Sequence, residues 1–194
     1  MALILASSSA IRAHMLDAAS VDHQVYPADI DEDVVKAAHN GDAASLATEL
    51  ASTKATAVSA LRPGDWVIGS DSLINVAGRR FDKPENREEA ADHLRTFSGQ
   101  AIILTSAVSL ARDGEVVWSH AERATLHVRA LSDTFIESYL DAEWPEVGYC
   151  AGVFRMEARG VQLFERVDGD HFTILGMPLL PLLGALRGRG LIAT

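Results

Sequence analysis

The chain of 194 residues has one cysteine, Cys150, so no intramolecular disulfide can form, which fits a reducing compartment. Basic residues are scarce: 17 Lys and Arg stand against 27 Asp and Glu, for a net charge of −10. That balance argues against a nucleic-acid polymer as partner. It does not exclude a small phosphorylated ligand, which needs only a few local cations. Long hydrophobic runs are missing too. Residues 175–186 are apolar but broken by Pro178 and Pro181, and they are too short to span a bilayer. Residues 1–5 are apolar without a basic stretch before them, so they read as a first strand and not a signal peptide. The expectation is a soluble cytoplasmic protein with no membrane partner. Seven histidines are scattered without zinc-ligand spacing. Neither a G-x-S-x-G elbow nor a G-x-x-x-x-G-K-[ST] loop is present.

Apolar residues make up 48% of the chain, enough for a substantial core. The length suits one large domain or two small lobes, and residues 1–194 are read as a single domain. A strand over residues 2–6 leads into Ser7-Ser8-Ser9 and a helix over residues 10–19. Residues 29–33 read as an acidic loop. Asp42 caps a helix to about Leu61, ended by Arg62-Pro63-Gly64. A strand region follows over residues 66–76, with a turn at Gly78. Asn86 and Glu89 open a helix through Phe97 in capping-box fashion. Residues 102–111 and 116–128 read as a hairpin about Asp113-Gly114. Ser132 caps a helix to about Asp141. Residues 148–160 are irregular, 161–167 a strand, and 178–186 a closing helix. The alternation predicts a mixed α/β fold with a mixed sheet and flanking helices, arranged as two lobes around a cleft.

Two placements break the local rules, and others add to them. Asp71 lies inside the apolar run from Trp66 to Val76, where an unpaired carboxylate costs several kcal/mol. Metal coordination or acid–base chemistry is the usual reason to keep one there; capping a turn after Gly69 is the plain alternative. Lys54 takes a core slot in the helical stripe Leu46, Leu50, Lys54, Val58, Leu61. It either snorkels to water or aims an ammonium at a phosphate. An apolar residue would suit that slot better, so Lys54→Ala is expected to cost little stability. Arg12 lies one turn into the first helix, just past the serine loop, where free backbone N–H groups and a guanidinium fork could hold an anion. Lys83 precedes Pro84 in an extended loop. Among Asp29, Asp31, Glu32 and Asp33, one carboxylate could join Asp71 on a divalent cation, since Mg²⁺ needs only one or two carboxylates with phosphates and water.

Taken together, these residues resemble the Maf family of nucleoside triphosphate pyrophosphatases. Leu5-Ala6-Ser7-Ser8-Ser9-Ala10-Ile11-Arg12 is similar to its L-A-S-x-S-P-x-R opening, and Ile68-Gly69-Ser70-Asp71 to its I-G-[AS]-D segment. Leu46 to Ala55, ending Lys54-Ala55, is similar to its L-A-x-x-K-A helix. Lys83-Pro84, Ser98-Gly99, Cys150-Ala151-Gly152 and Leu175-Gly176-Met177-Pro178-Leu179 match later landmarks in order. The resemblance implies an elongated, ITPase-like fold and metal-dependent cleavage of a nucleotide between its α- and β-phosphates. It implies Asp71 as proton acceptor and Ser7, Ser9, Arg12, Lys54 and Lys83 as phosphate ligands. Glu32 and Asp71 would hold the metal, Mg²⁺ or Mn²⁺. Ile11, Ser72 and Glu157 fall at positions tied to base choice.

Ala10, Ile11 and Asp82 depart from the family pattern. The stretch from Phe154 to Glu157 is similar to the 7-methyl-GTP branch, where a carboxylate suits a cationic guanine through its N1–H and N2–H. The competing implications are a dTTP/UTP pyrophosphatase and a nucleotide-binding regulator of septum formation. Whether the chain forms a homodimer stays open at this point.

Overall fold

The structure, a computed structural model, describes residues 1–193. Seven strands form one mixed sheet in the order β2-β1-β3-β5-β6-β7, with β4 paired to β3. The strands are β1 (Leu3–Leu5), β2 (Gln24–Val25), β3 (Trp66–Val76), β4 (Arg79–Phe81), β5 (Ala101–Arg112), β6 (Glu115–Val128) and β7 (Phe164–Asp168). The helices are α1 (Ala10–Ala18), α2 (Glu32–Ala38), α3 (Ala43–Leu61), α4 (Arg87–Phe97), α5 (Asp133–Glu143), α6 (His171–Ile174) and α7 (Leu179–Arg187). β1 runs parallel to both β2 and β3, while β4 and β7 pair antiparallel with β3 and β6.

The chain forms two compact units, each built from separated stretches. The first takes Met1–Ser72, Thr105–Arg123 and the residues from Asp170 onward. β1 and β3 are buried on both faces, and the alternation of side chains sorts the core. Leu5 and Ile68 face one way, into a cluster with Met15, Leu16, Val108, Leu110, Met177, Leu179, Leu182 and Leu186. Ile4, Ala6 and Val67 face the other way, onto Ala55 and Val58 of α3. One residue of slip along β1 or β3 would exchange these two sets.

The second unit takes Leu73–Leu104 and Ala124–Gly169. Phe81 meets the Phe97 ring edge-on at 4.9 Å. Arg87 of α4 binds Glu137 and Asp141 of α5 at 2.7 and 2.6 Å, and Arg95 binds Asp133 at 2.8 Å.

Most expected elements form where the sequence places them. Asp113 (φ +52°) and Gly114 (φ +82°) make the tight turn between β5 and β6, which both central residues enter with positive φ. Asn86 and Ser132 cap α4 and α5 through Glu89 N and Phe135 N.

Two expectations need correcting. The acidic stretch 29–33 is not all loop: Asp31 accepts from Asp33 N and Val34 N and starts α2 at Glu32. Acidic residues favour a helix N-terminus, so the charge run is itself the start signal. The strand expected over 161–167 begins later, at Phe164, after a 3-10 turn over Arg159–Leu163. The brief β2 and α6 carry too few residues to show a period.

Candidate functional site

β3 delivers Asp71 and α3 delivers Lys54, and a glycine lets the two elements meet. A Cβ on Gly69 would stand 2.0 Å from the Ala51 carbonyl oxygen and 2.7 Å from Ala55 N. Only a bare backbone permits that approach. It sets Lys54, 9% exposed, against Asp71, 7% exposed. Lys54 Nζ lies 2.6 Å from Asp71 Oδ1 and 2.8 Å from Glu32 Oε1. Glu32 is the first residue of α2, which buries none of its own residues. The ammonium therefore bridges two carboxylates from two different elements. The stripe that includes Lys54 is buried as expected at Leu46, Leu50 and Val58, whereas Leu61 at the helix end is 66% exposed.

The serine loop joins from the end of β1. Ser7 is buried, and its Oγ accepts from Ser9 N at 3.2 Å. Ser9 occupies the cap position of α1 but makes no side-chain cap bond. The first turn of α1 thus keeps N–H donors that no capping side chain takes.

Arg12 uses its fork on the protein. Nε donates to Gly176 O at 2.9 Å, Nη1 to Ser70 O at 3.0 Å and Ser7 Oγ at 3.3 Å, and Nη2 to Ser72 Oγ at 3.1 Å. These four bonds leave one N–H of the five in a guanidinium. Burial pushes the Arg12 pKa below its ordinary value, while the charges of Asp71 and Glu32 act to raise it. Gly176 O takes two further donors, Ser70 Oγ at 3.0 Å and Ser72 Oγ at 3.1 Å. Ser72 Oγ also meets Ser106 Oγ at 2.8 Å, and Ser106 donates to Thr173 O at 2.8 Å. This hydroxyl network ties α1 and β3 to the loop before α7. Sequence reading quoted Ser70 only as part of the Ile68-Gly69-Ser70-Asp71 segment, gave it no role, and missed Ser106 and Thr173.

Among the sequence-predicted residues, Ser7, Ser9, Arg12, Glu32, Lys54, Asp71 and Ser72 all belong to the first unit, with Ile11 half-buried on α1. Lys83 and Glu157 belong to the second. Lys83 is exposed and lines a cavity of about 400 Å³ with Arg79, Arg80, Glu89 and His93. Glu157 is exposed on a turn. Burial, and then the charge of Glu157, push the Cys150 thiol up to about 11, so it stays protonated at neutral pH.

No group of three or more His, Cys, Asp and Glu side chains among the described residues could hold a metal. Two carboxylates do converge on one point, where the Lys54 ammonium now stands in for a cation. That donor set fits Mg²⁺ or Mn²⁺ bound mainly through substrate phosphates and water. No helix among the described residues is long and apolar enough to cross a membrane.

The sequence family whose model matches residues 2–189 is the Maf-like protein family. The chain belongs to it. A nucleoside triphosphate pyrophosphatase of Granulibacter bethesdensis is 45% identical over 96% of this chain and 96% of its own. One from Nitrobacter hamburgensis is 43% identical over 98% and 95%. A 7-methyl-GTP pyrophosphatase of Rhizobium etli is 44% identical over 98% and 97%. Maf-like membership accounts for the order of the sequence landmarks from Ser7 to Gly176. The mixed α/β sheet with flanking helices is the expected fold class.

Proposed function

We propose that this Maf-like protein is a nucleoside triphosphate pyrophosphatase, hydrolysing the α–β phosphate bond to a monophosphate and pyrophosphate. The observation that carries the reading is Asp71, a buried carboxylate on β3 held 2.6 Å from the Lys54 ammonium. Relatives sharing more than two fifths of its residues and bearing that activity in their names support it.

A triphosphate carries about four negative charges, so its arrival gives Lys54 a competing partner. Lys54 then binds phosphate oxygens and Asp71 Oδ1 is released to accept the proton of an attacking water. Ser7, Ser9 and the N–H groups at the start of α1 hold phosphate oxygens. Arg12 keeps that loop seated and offers its remaining N–H. Glu32 and Asp71 are the residues that would hold Mg²⁺ or Mn²⁺, whose chemistry there is neutralisation of charge on the phosphates. Lys83 enters as a phosphate ligand by its motif match alone.

For the base, the reading is 7-methyl-GTP. Glu157 is a carboxylate where a methylated, positively charged guanine would be favoured, and one of the similar relatives is named for that substrate. Ile11 and Ser72 are proposed as further base-facing positions. The test is pyrophosphate release from a panel of GTP, 7-methyl-GTP, dTTP and UTP with Mg²⁺ or Mn²⁺, with and without EDTA. Release from none of them would overturn the activity. Faster release from dTTP or UTP than from 7-methyl-GTP would overturn only the base.

A further inference from the structure

We infer that Tyr139 and Glu143, on the buried face of α5, are positioning residues that govern base selection by fixing the turn that carries Glu157. The inference rests on the reading of Glu157 as the base-contacting group.

Glu143 is the last residue of α5 and only 6% exposed. A carboxylate there faces both desolvation and the negative end of the helix dipole. Arg155 answers it, with Nη2 at 2.9 Å and Nε at 3.2 Å from Oε2. One turn back, the buried Tyr139 hydroxyl donates to Val153 O at 3.0 Å. Burial, and then the charge of Glu143, raise the Tyr139 pKa, so the phenol remains a donor.

The acceptor of that bond is strained. Val153 has φ +53°, a left-handed conformation that a β-branched residue rarely takes. Such a residue persists only where its surroundings over-determine it, and these places cluster at ligand sites. Here the surroundings are identifiable. Val153 N closes a turn onto Cys150 O at 3.0 Å. Phe154 packs edge-on against Phe164 at 5.0 Å. Beyond Glu157, the chain folds back on Arg155: a Cβ on Gly160 would lie 2.4 Å from Arg155 O and 2.7 Å from Arg155 N.

Glu157 is therefore held on both sides while its own side chain is exposed. Apolar residues at positions 139 and 143 would stabilise the unit more cheaply than a buried phenol and a buried ion pair. What the polar pair adds is a fixed place for one carboxylate. Misplacing a contacting group by about 1 Å can cost up to a hundredfold in rate.

The experiment measures kcat and KM of the full-length protein on 7-methyl-GTP and GTP, with thermal melts, for Tyr139→Phe, Glu143→Gln and Glu157→Gln. The expected result is a fall of about tenfold in the 7-methyl-GTP to GTP ratio of kcat/KM for both α5 variants, the worth of one hydrogen bond. The loss should appear mainly in KM for the methylated nucleotide, with GTP turnover held near wild type. Should Glu143→Gln not fold, Tyr139→Phe, which removes one oxygen, decides alone. An unchanged ratio with a lowered melting temperature would make the pair purely structural and overturn the inference. If Glu157→Gln shifts the ratio and the α5 variants do not, the inference falls and the base reading stands. If Glu157→Gln itself leaves the ratio unmoved, both fall.

Discussion

Lys54 shows how one side chain can reverse an expectation drawn from periodicity. Its place in an apolar stripe suggests that alanine there is harmless. The two carboxylates it bridges say otherwise: without the ammonium, buried Asp71 loses its ion-pair partner. Removing one member of a buried pair costs about 3–5 kcal/mol, so Lys54→Ala should lower stability by that order. The double variant Lys54→Ala, Asp71→Asn should recover most of it. Urea denaturation checks both, and a single variant within about 0.5 kcal/mol of wild type would refute the pairing argument. Asp71→Asn alone should fold and lose roughly 10²–10⁴-fold in turnover, the usual loss for a general base. A variant that keeps a tenth of the pyrophosphate release would remove Asp71 from that role. Arg12→Lys is the third case. A lysine cannot serve the four acceptors that Arg12 now reaches from α1. It should lower both the melting temperature and kcat, and an unchanged melt would show that the network is dispensable.

Elements meet in this protein where a particular residue lets them. Gly69 admits α3 to the β3 backbone, and Gly69→Ala would force apart the two elements that carry Lys54 and Asp71. Loss of activity together with a large drop in melting temperature is expected; full activity would mean that the helix can shift without consequence. The opposite case is α2, which buries nothing. It depends on polar contacts, and His39, just past its end, meets Ser45 Oγ at 2.9 Å and also Glu49 on α3. His93 on α4 gives the second unit one source of pH dependence. It lies 5.0 Å from the Phe81 ring, its Nδ1 is buried without a hydrogen-bond partner, and burial lowers its pKa against the opposing charge of Glu89. The folded state therefore prefers neutral His93. Its contribution is present above the unfolded value near 6.5 and is lost as pH falls below it. The melting temperature of wild type should drop more between pH 7.5 and 5.5 than that of His93→Leu; equal drops would exclude His93 as the cause.

Across the whole molecule, β3, β5 and β6 each contribute residues to both units, so neither unit owns a complete set of strands. Trp66 and Trp118 report on the first unit and Trp144 on the second. Their fluorescence and the far-ultraviolet dichroism should melt together, and separated transitions would show independent folding. Much of this architecture is legible in the sequence. Asp42, Asn86 and Ser132 announce their helices by capping, and Asp113-Gly114 announces its hairpin. Asp71 and Lys54 stand out because each violates the pattern around it. The short β2 and α6 are invisible for lack of length. The serine network around Gly176 O is invisible for another reason: hydroxyls and carbonyls distant in sequence carry no periodicity to reveal them. The same holds for Tyr139, whose partner, Val153, is a backbone oxygen. The interleaving of the two units also bears on synthesis. Leu5, Met15 and Leu16 leave the ribosome well before Leu179, Leu182 and Leu186 of α7, which share their cluster. The nascent chain must therefore carry an open apolar face until α7 emerges, and only then does the first unit close this cluster.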